Sequence, residues 1–253
     1  MYLDVADHRV FTAAFGPGPR TFLGHSGWIG TWEDWMPVLE ELSKTWRAVA
    51  YDHRGSGETA ARPEDVTVDA LVDEIFGVMD ALGVERCTLG GFSSGAPIAL
   101  LAVLRRPERF DGLVILSGKA HSLEDPGDRE YLDTYLDHYD QRIEAAVVAF
   151  TPESDVAHIR RWAGHILRRA DPIMAVRHQE CRLGLDLRPQ LMKIAAPTLI
   201  IHGSVDVIPL AEAEYMAAHI PDSRLVVMEG SGHLPGMIRG AEVGQAINAF
   251  FNR

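Results

Sequence analysis

The chain has 253 residues, with 47% hydrophobic and 24% charged side chains and a formal net charge of −12. So acidic a chain excludes a nucleic-acid binder, because phosphate contacts need clustered Lys and Arg. No run approaches the ~18 apolar residues of a membrane span, and the length suits one large α/β domain or a core carrying an insertion.

In chain order, Tyr2–Val5 and Val10–Phe15 read as short strands joined by a polar turn at Asp7-His8. Gly16-Pro17-Gly18-Pro19 breaks the chain, and Thr21-Phe22-Leu23 starts a third strand that runs into the glycine-rich loop Gly24–Gly30. Trp32–Ser43 has helical spacing, and Arg47–Tyr51 is a strand followed by the charged turn Asp52–Gly57. Val66–Leu82 is a helix with Val68, Leu71, Val72, Ile75, Met79 and Leu82 as its apolar stripe, Thr67 as N-cap and Gly83 as its stop. A short apolar run, Cys87–Gly90, leads to Gly91-Phe92-Ser93-Ser94-Gly95 and then to the apolar helix Ala96–Leu104, which Pro107 ends. Gly112–Leu116 is the next strand.

The rhythm then changes. Residues 120–190 hold no convincing strand. His121–Tyr131 is polar and contains Pro126-Gly127, while Glu130–Phe150, Asp155–Ala170 and Pro172–Leu183 read as helices. From Ala195 the alternation resumes with strand Pro197–Ile201, helix Leu210–Ile220, strand Arg224–Met228 and helix Glu242–Phe251. Strands alternating with helices predict a parallel sheet covered on both faces, with the first two strands as an antiparallel edge.

Two loops follow late strands. One ends in Asp206 and the other contains Gly232-His233. A serine hydroxyl needs a base within hydrogen-bond reach, and the base needs an orienting partner. Loops at the carboxyl ends of parallel strands are where such groups meet.

Taken with His25-Ser26-Gly27-Trp28 and Asp52-His53-Arg54-Gly55-Ser56-Gly57, the Gly-x-Ser-x-Gly turn and the order Ser93, Asp206, His233 resemble the α/β-hydrolase superfamily. The resemblance implies a mostly parallel eight-stranded sheet with helices on both faces. It also implies a core of residues 1–119 and 191–253 under a helical cap of residues 120–190. Ser93 resembles the nucleophile, His233 the general base and acid, and Asp206 the orienter of the imidazole. Ser94 would give one oxyanion-hole N–H. The second donor is Trp28 or Gly27, because Ser26 stands where the family usually has glycine. The reaction implied is hydrolysis of a carboxylic ester or lactone through an acyl-enzyme. Carbon–carbon bond hydrolysis and cofactor-free perhydrolysis use the same triad and stay open, as does a ligand-binding receptor. A serine at position 93 sets aside the relatives that use an elbow aspartate.

No cofactor is expected, and no metal, since neither Cys-x-x-Cys nor His-Glu-x-x-His occurs. Cys87 and Cys181 are too few for a disulfide framework. Met1–Asp7 shows no signal-peptide pattern, which points to the cytoplasm. The expected partner is a small ester or lactone, with a homodimer left open. His25 reads as a loop anchor, and Asp52 with Arg54 as a structural charged pair. Arg160, Arg161, Arg168, Arg169, Arg177 and Arg182 read as a solvated helix face, and Trp162 as helix core.

Overall fold

A computed structural model describes residues 1–6, 8–122, 130 and 132–252. Asp7 of the first turn, the Pro126-Gly127 stretch and Tyr131 lie outside the described residues. Eight strands form one sheet: β1 (Tyr2–Val5), β2 (His8–Phe15), β3 (Thr21–His25), β4 (Arg47–Tyr51), β5 (Cys87–Phe92), β6 (Phe110–Leu116), β7 (Thr198–Gly203) and β8 (Ser223–Met228). Their spatial order is β1-β2-β4-β3-β5-β6-β7-β8. β1 and β2 pair antiparallel, and so do β2 and β4, with Thr12 opposite Tyr51. From β4 to β8 every pairing is parallel.

The helices are α1 (Met36–Leu42), α2 (Val68–Ala81), α3 (Ala96–Arg105), α4 (Tyr139–Phe150), α5 (Ala157–Arg169), α6 (Pro172–Glu180), α7 (Leu210–His219), α8 (Pro235–Ile238) and α9 (Gly240–Phe251). Thr67 caps α2, its hydroxyl accepting from the Ala70 N–H, and Gly83 follows it at φ +65°. The predicted helix over Trp32–Ser43 divides into a 3₁₀ turn, Trp32–Trp35, and α1. Pro37 sits in the first turn of α1, where its missing N–H costs no intrahelical bond. Of the predicted Glu130–Phe150 helix, Glu130, Leu132 and Asp133 are helical, and a 3₁₀ turn at Leu136–His138 then leads into α4.

Both faces of the sheet are buried, and the period of two along each strand shows it. On β6, Leu113 and Ile115 join the core under α2 and α3, whereas Val114 and Leu116 join the core under α1 and α9. On β4, Val49 and Tyr51 face one way and Ala48 and Ala50 the other. Each fully buried aliphatic side chain contributes roughly 1.5–3 kcal/mol. Ile143, Val147, Ile159 and Ile166, from the helices between β6 and β7, join the same cluster as α1 and α9. No helix among the described residues is long and apolar enough to cross a membrane.

Two expectations are corrected. Asp52 and Arg54 do not pair. Asp52 accepts from the N–H groups of Trp32 (2.8 Å) and Glu58 (2.9 Å), and Arg54 turns to the buried Glu74, Nε to Oε2 at 3.2 Å. Asp52 is satisfied by two backbone N–H groups and Arg54 by a buried carboxylate of α2, so neither needs the other. The six arginines between positions 160 and 182 are also not one solvated face. Arg182 is only 2% exposed, Arg160 closes the end of α4 by donating to the Thr151 hydroxyl and carbonyl, and Arg169 reaches Glu33 across the site.

Candidate active site

The site lies at the carboxyl ends of β3, β5, β7 and β8. β5 ends at Phe92, Ser93 sits at φ +52°, and α3 follows after one 3₁₀ turn. A non-glycine residue in the left-handed region is strained. The strain persists here because the turn is packed on both sides. A Cβ on Gly95 would lie 2.5 Å from the Ser26 carbonyl oxygen, and one on Gly27 would lie 2.8 Å from Ser93 Cβ. These two glycines let the β3 loop close against the serine.

Ser93 Oγ is 2.8 Å from His233 Nε2, and His233 Nδ1 is 2.8 Å from Asp206 Oδ1. Asp206 Oδ1 also accepts from the Ile208 N–H at 2.9 Å. Burial works against ionisation of Asp206, but the hydrogen bonds from His233 and Ile208 outweigh it and hold the carboxyl below its usual range. An ionised Asp206 requires the proton on His233 Nδ1. Nε2 is therefore the lone-pair side and accepts from the Ser93 hydroxyl. Asp206 Oδ2 is buried without a hydrogen-bond partner, 3.7 Å from His202 Nε2, which itself bonds the Ile208 carbonyl.

The histidine loop is held from α4 and the turn after it. His233 N–H donates to the Phe150 carbonyl at 2.9 Å, and Glu153 Oε1 accepts from Gly232 N–H at 2.6 Å and from the Ser231 hydroxyl at 3.3 Å. The rings of Phe150 and Phe92 flank His233, with centroids at 4.7 and 5.4 Å.

On the other side of Ser93, Trp28 has φ +34° and its N–H donates to Ser94 Oγ at 2.5 Å. Its indole N–H donates to the Ala175 carbonyl on α6 at 2.7 Å, and its ring meets Tyr135 edge-on. Ser94 opens the turn into α3, where first-turn N–H groups have no intrahelical acceptor and the helix dipole favours an anion. Gly27 supplies the close approach to Ser93 described above.

Behind this loop the rings of His25, His53 and His178 lie in a row, His25 tilted against His53 and His53 edge-on to His178, with centroids 5.1 and 4.7 Å apart. His25 Nδ1 bonds the Tyr51 hydroxyl at 2.8 Å, and His178 Nε2 the Arg54 carbonyl at 3.0 Å. Burial keeps all three neutral. It lowers His53 to about 4 and pushes His25 and His178 well below the ordinary imidazole value. His25 is thus an anchor of the loop.

Two lobes meet at Ser93. The first is apolar, with Phe92, Phe150, Ile166, Leu167, Leu234 and Met237 in its wall. Asp34 is its one carboxyl, raised to about 8 by burial and by the neighbouring charges of Glu33 and Asp52. The second lobe is polar, with Ser94, Lys119, His121, Ser122 and Gln179 in its wall. Trp162 enters neither wall. Its indole N–H donates to Glu33 Oε2 at 2.7 Å, beside the Arg169–Glu33 ion pair. Phe150, Glu153 and Gln179 carry no local sequence signal, because only the packing of the β6–β7 segment brings them to the site, and Lys119 reaches it as the residue three past the end of β6. Among the described residues no three His, Cys, Asp or Glu side chains converge as metal ligands would.

A family model for the alpha/beta hydrolase fold matches residues 20–239. The chain belongs to the alpha/beta hydrolase family. It is 28% identical to the strigolactone esterase D14 of Arabidopsis thaliana over 261 residues, covering 95% of this chain and 97% of that one. It is 29% identical to the putative carbamate hydrolase RutD of Caulobacter sp. strain K31, covering 85% of this chain and 84% of that one. Among solved structures, the enol-lactonase of Burkholderia xenovorans LB400 superposes with a TM-score of 0.91 over the whole of both chains at 19% identity. A thermophilic esterase of Thermogutta terrifontis gives a TM-score of 0.91 at 24% identity, over 100% of this chain and 97% of that one. Both structures share the fold.

Proposed function

We propose that this protein is a serine hydrolase of small carboxylic esters or lactones, with Ser93 as nucleophile, His233 as base and acid and Asp206 as its orienter. The observation that carries the reading is the continuous hydrogen-bonded path from Ser93 Oγ through His233 to Asp206, both contacts at 2.8 Å. Esterases and hydrolases among the relatives support it.

The Ser93 proton passes to His233 Nε2 as Oγ attacks the substrate carbonyl carbon. Asp206 stabilises the imidazolium. The tetrahedral oxyanion is held by the N–H groups of Ser94 and Trp28. Gly27 serves to let the loop approach. The C–O bond to the leaving group then breaks, and His233 returns the proton to the departing alkoxide. Water attacks the acyl-enzyme as His233 takes its proton, and the acid and free Ser93 Oγ–H are released. Residues 120–190 act as a cap, since Phe150, Ile166 and Leu167 close the apolar lobe over the serine.

The test is hydrolysis of p-nitrophenyl acetate and labelling by a fluorophosphonate. Ser93→Ala should lose both while its circular dichroism matches that of the wild type. Hydrolysis surviving in Ser93→Ala would overturn the mechanism.

A further inference from the structure

The two lobes beside Ser93 differ in charge. The apolar lobe offers no cation among the described residues, so a carboxylate placed there would lose its hydration without replacement. The second lobe carries Lys119, which has neither an ion pair nor a hydrogen bond among the described residues. Beside it stand Ser122, 8% exposed, and Gln179.

Directly behind Gln179 lies a second positive group. Arg182 is 2% exposed, and among the described residues its guanidinium makes one hydrogen bond, Nη2 to Gln179 Oε1 at 3.4 Å, and meets no carboxylate. A buried guanidinium without a counter-ion is costly. Its charge reaches far enough to contribute to the lowered basicity of His25, His53 and His178. His121, also in this wall, has its Nε2 3.1 Å from Glu212 Oε2. In a chain of net charge −12, Lys119 is an ammonium with no partner among the described residues in the wall beside Ser93, and the buried Arg182 stands behind Gln179 of that wall, so the lobe is an anion-seeking surface.

We infer that the polar lobe binds a carboxylate of the substrate through Lys119 and Gln179, with Arg182 behind them, so that the substrate is a small ester or lactone bearing a free carboxylate. This rests on the hydrolase reading above and narrows it. Lys119 is assigned as a specificity-determining residue. It takes no part in the bond-breaking steps.

The experiment compares shape-matched ester pairs. Monoethyl succinate against ethyl 4-methylpentanoate places the charge on the acyl side. O-butyryl glycolate against isobutyl butyrate places it on the alcohol side. In the wild type at least one charged ester should be preferred tenfold or more in kcat/KM, chiefly through KM, and 0.5 M NaCl should shrink that preference. Lys119→Met should reduce the charged-to-neutral ratio at least tenfold, and Lys119→Arg should keep most of it. Equal loss on charged and neutral esters in Lys119→Met would overturn the inference, as would a wild type that prefers neither charged ester. The two readings fail separately. If Ser93→Ala still hydrolyses esters, the mechanism fails, while calorimetric binding of monoethyl succinate to Ser93→Ala, weakened tenfold by adding Lys119→Met, still reads the carboxylate site. If Ser93→Ala is inert and that binding is the same with or without Lys119, only the carboxylate site fails.

Discussion

The backbone N–H of His233 donates to the carbonyl of Phe150, 83 positions earlier in the chain (233 − 150) and at the end of α4. The imidazole that faces Ser93 is therefore held by the segment between β6 and β7 as well as by its own strand. Glu153 adds a second hold on the same loop through Gly232 and Ser231.

Removing that second hold should misplace the histidine. Glu153→Ala is expected to lower kcat about tenfold with a smaller change in KM, since a slight displacement of a reacting group is costly. Stability should drop by about 1–2 kcal/mol, the order of a charge-assisted hydrogen bond at a partly exposed site. Steady-state kinetics and urea titration measure the two effects. An unchanged kcat would show that Phe150 alone positions the loop.

On the proposed mechanism Asp206 acts through the tautomer of His233. Asp206→Asn keeps the shape but can donate to Nδ1, which moves the imidazole proton to Nε2 and leaves Ser93 without an acceptor. A fall in kcat of roughly 10³–10⁴ is expected. Ester hydrolysis at neutral pH tests it, and retention of more than a tenth of the wild-type rate would contradict the assignment.

Gly27→Ala tests the loop approach. The new Cβ would stand 2.8 Å from Ser93 Cβ and 2.9 Å from the Phe92 carbonyl oxygen, so the loop or the serine must shift. A loss of about 10²-fold in kcat/KM is expected, the scale of one displaced oxyanion donor. Thermal unfolding should move by only a few degrees.

Asp34 gives the protein a pH-dependent stability. Its folded value is raised to about 8 against 3.8 in the open chain, so the native state holds a proton that the unfolded state releases. The stabilisation is complete below about pH 4 and is lost as pH rises toward 8. Asp34→Asn should remove that slope and gain on the wild type by at least ~2 kcal/mol between pH 5 and pH 8, a tenfold difference in proton affinity being worth about 1.4 kcal/mol. Guanidinium titrations at the two pH values read the difference, and parallel losses in both proteins would refute it.

The sheet was legible wherever period and punctuation agreed. Arg47–Tyr51 is a strand as read, and Thr67 and Gly83 bracket α2 because capping is a local property. Ser93, Asp206 and His233 could be picked out because each sits one turn past an apolar strand, where parallel topology makes loops converge. The wall of the site was not legible. Lys119 and Gln179 are common residues in ordinary contexts; Lys119 comes to Ser93 because β6 pairs with β5, and Gln179 because of how α6 packs. The Arg182 misreading has a related origin: α6 ends at Glu180, before the predicted Leu183, and Arg182 lies buried in the turn that follows. Asp52 and Arg54 stand two apart in a turn, close in number but each committed to a different partner.

In the resting structure the Trp28 N–H is occupied, because Ser94 Oγ accepts it at 2.5 Å. On the proposed mechanism an incoming carbonyl must compete with a hydroxyl that the protein itself supplies. A neutral carbonyl oxygen is about as good an acceptor as that hydroxyl and gains little from the exchange. An oxyanion is a far stronger acceptor and wins it. The internal competitor thus weakens ground-state capture more than it weakens the grip on the tetrahedral species, and it steers binding energy toward the barrier top.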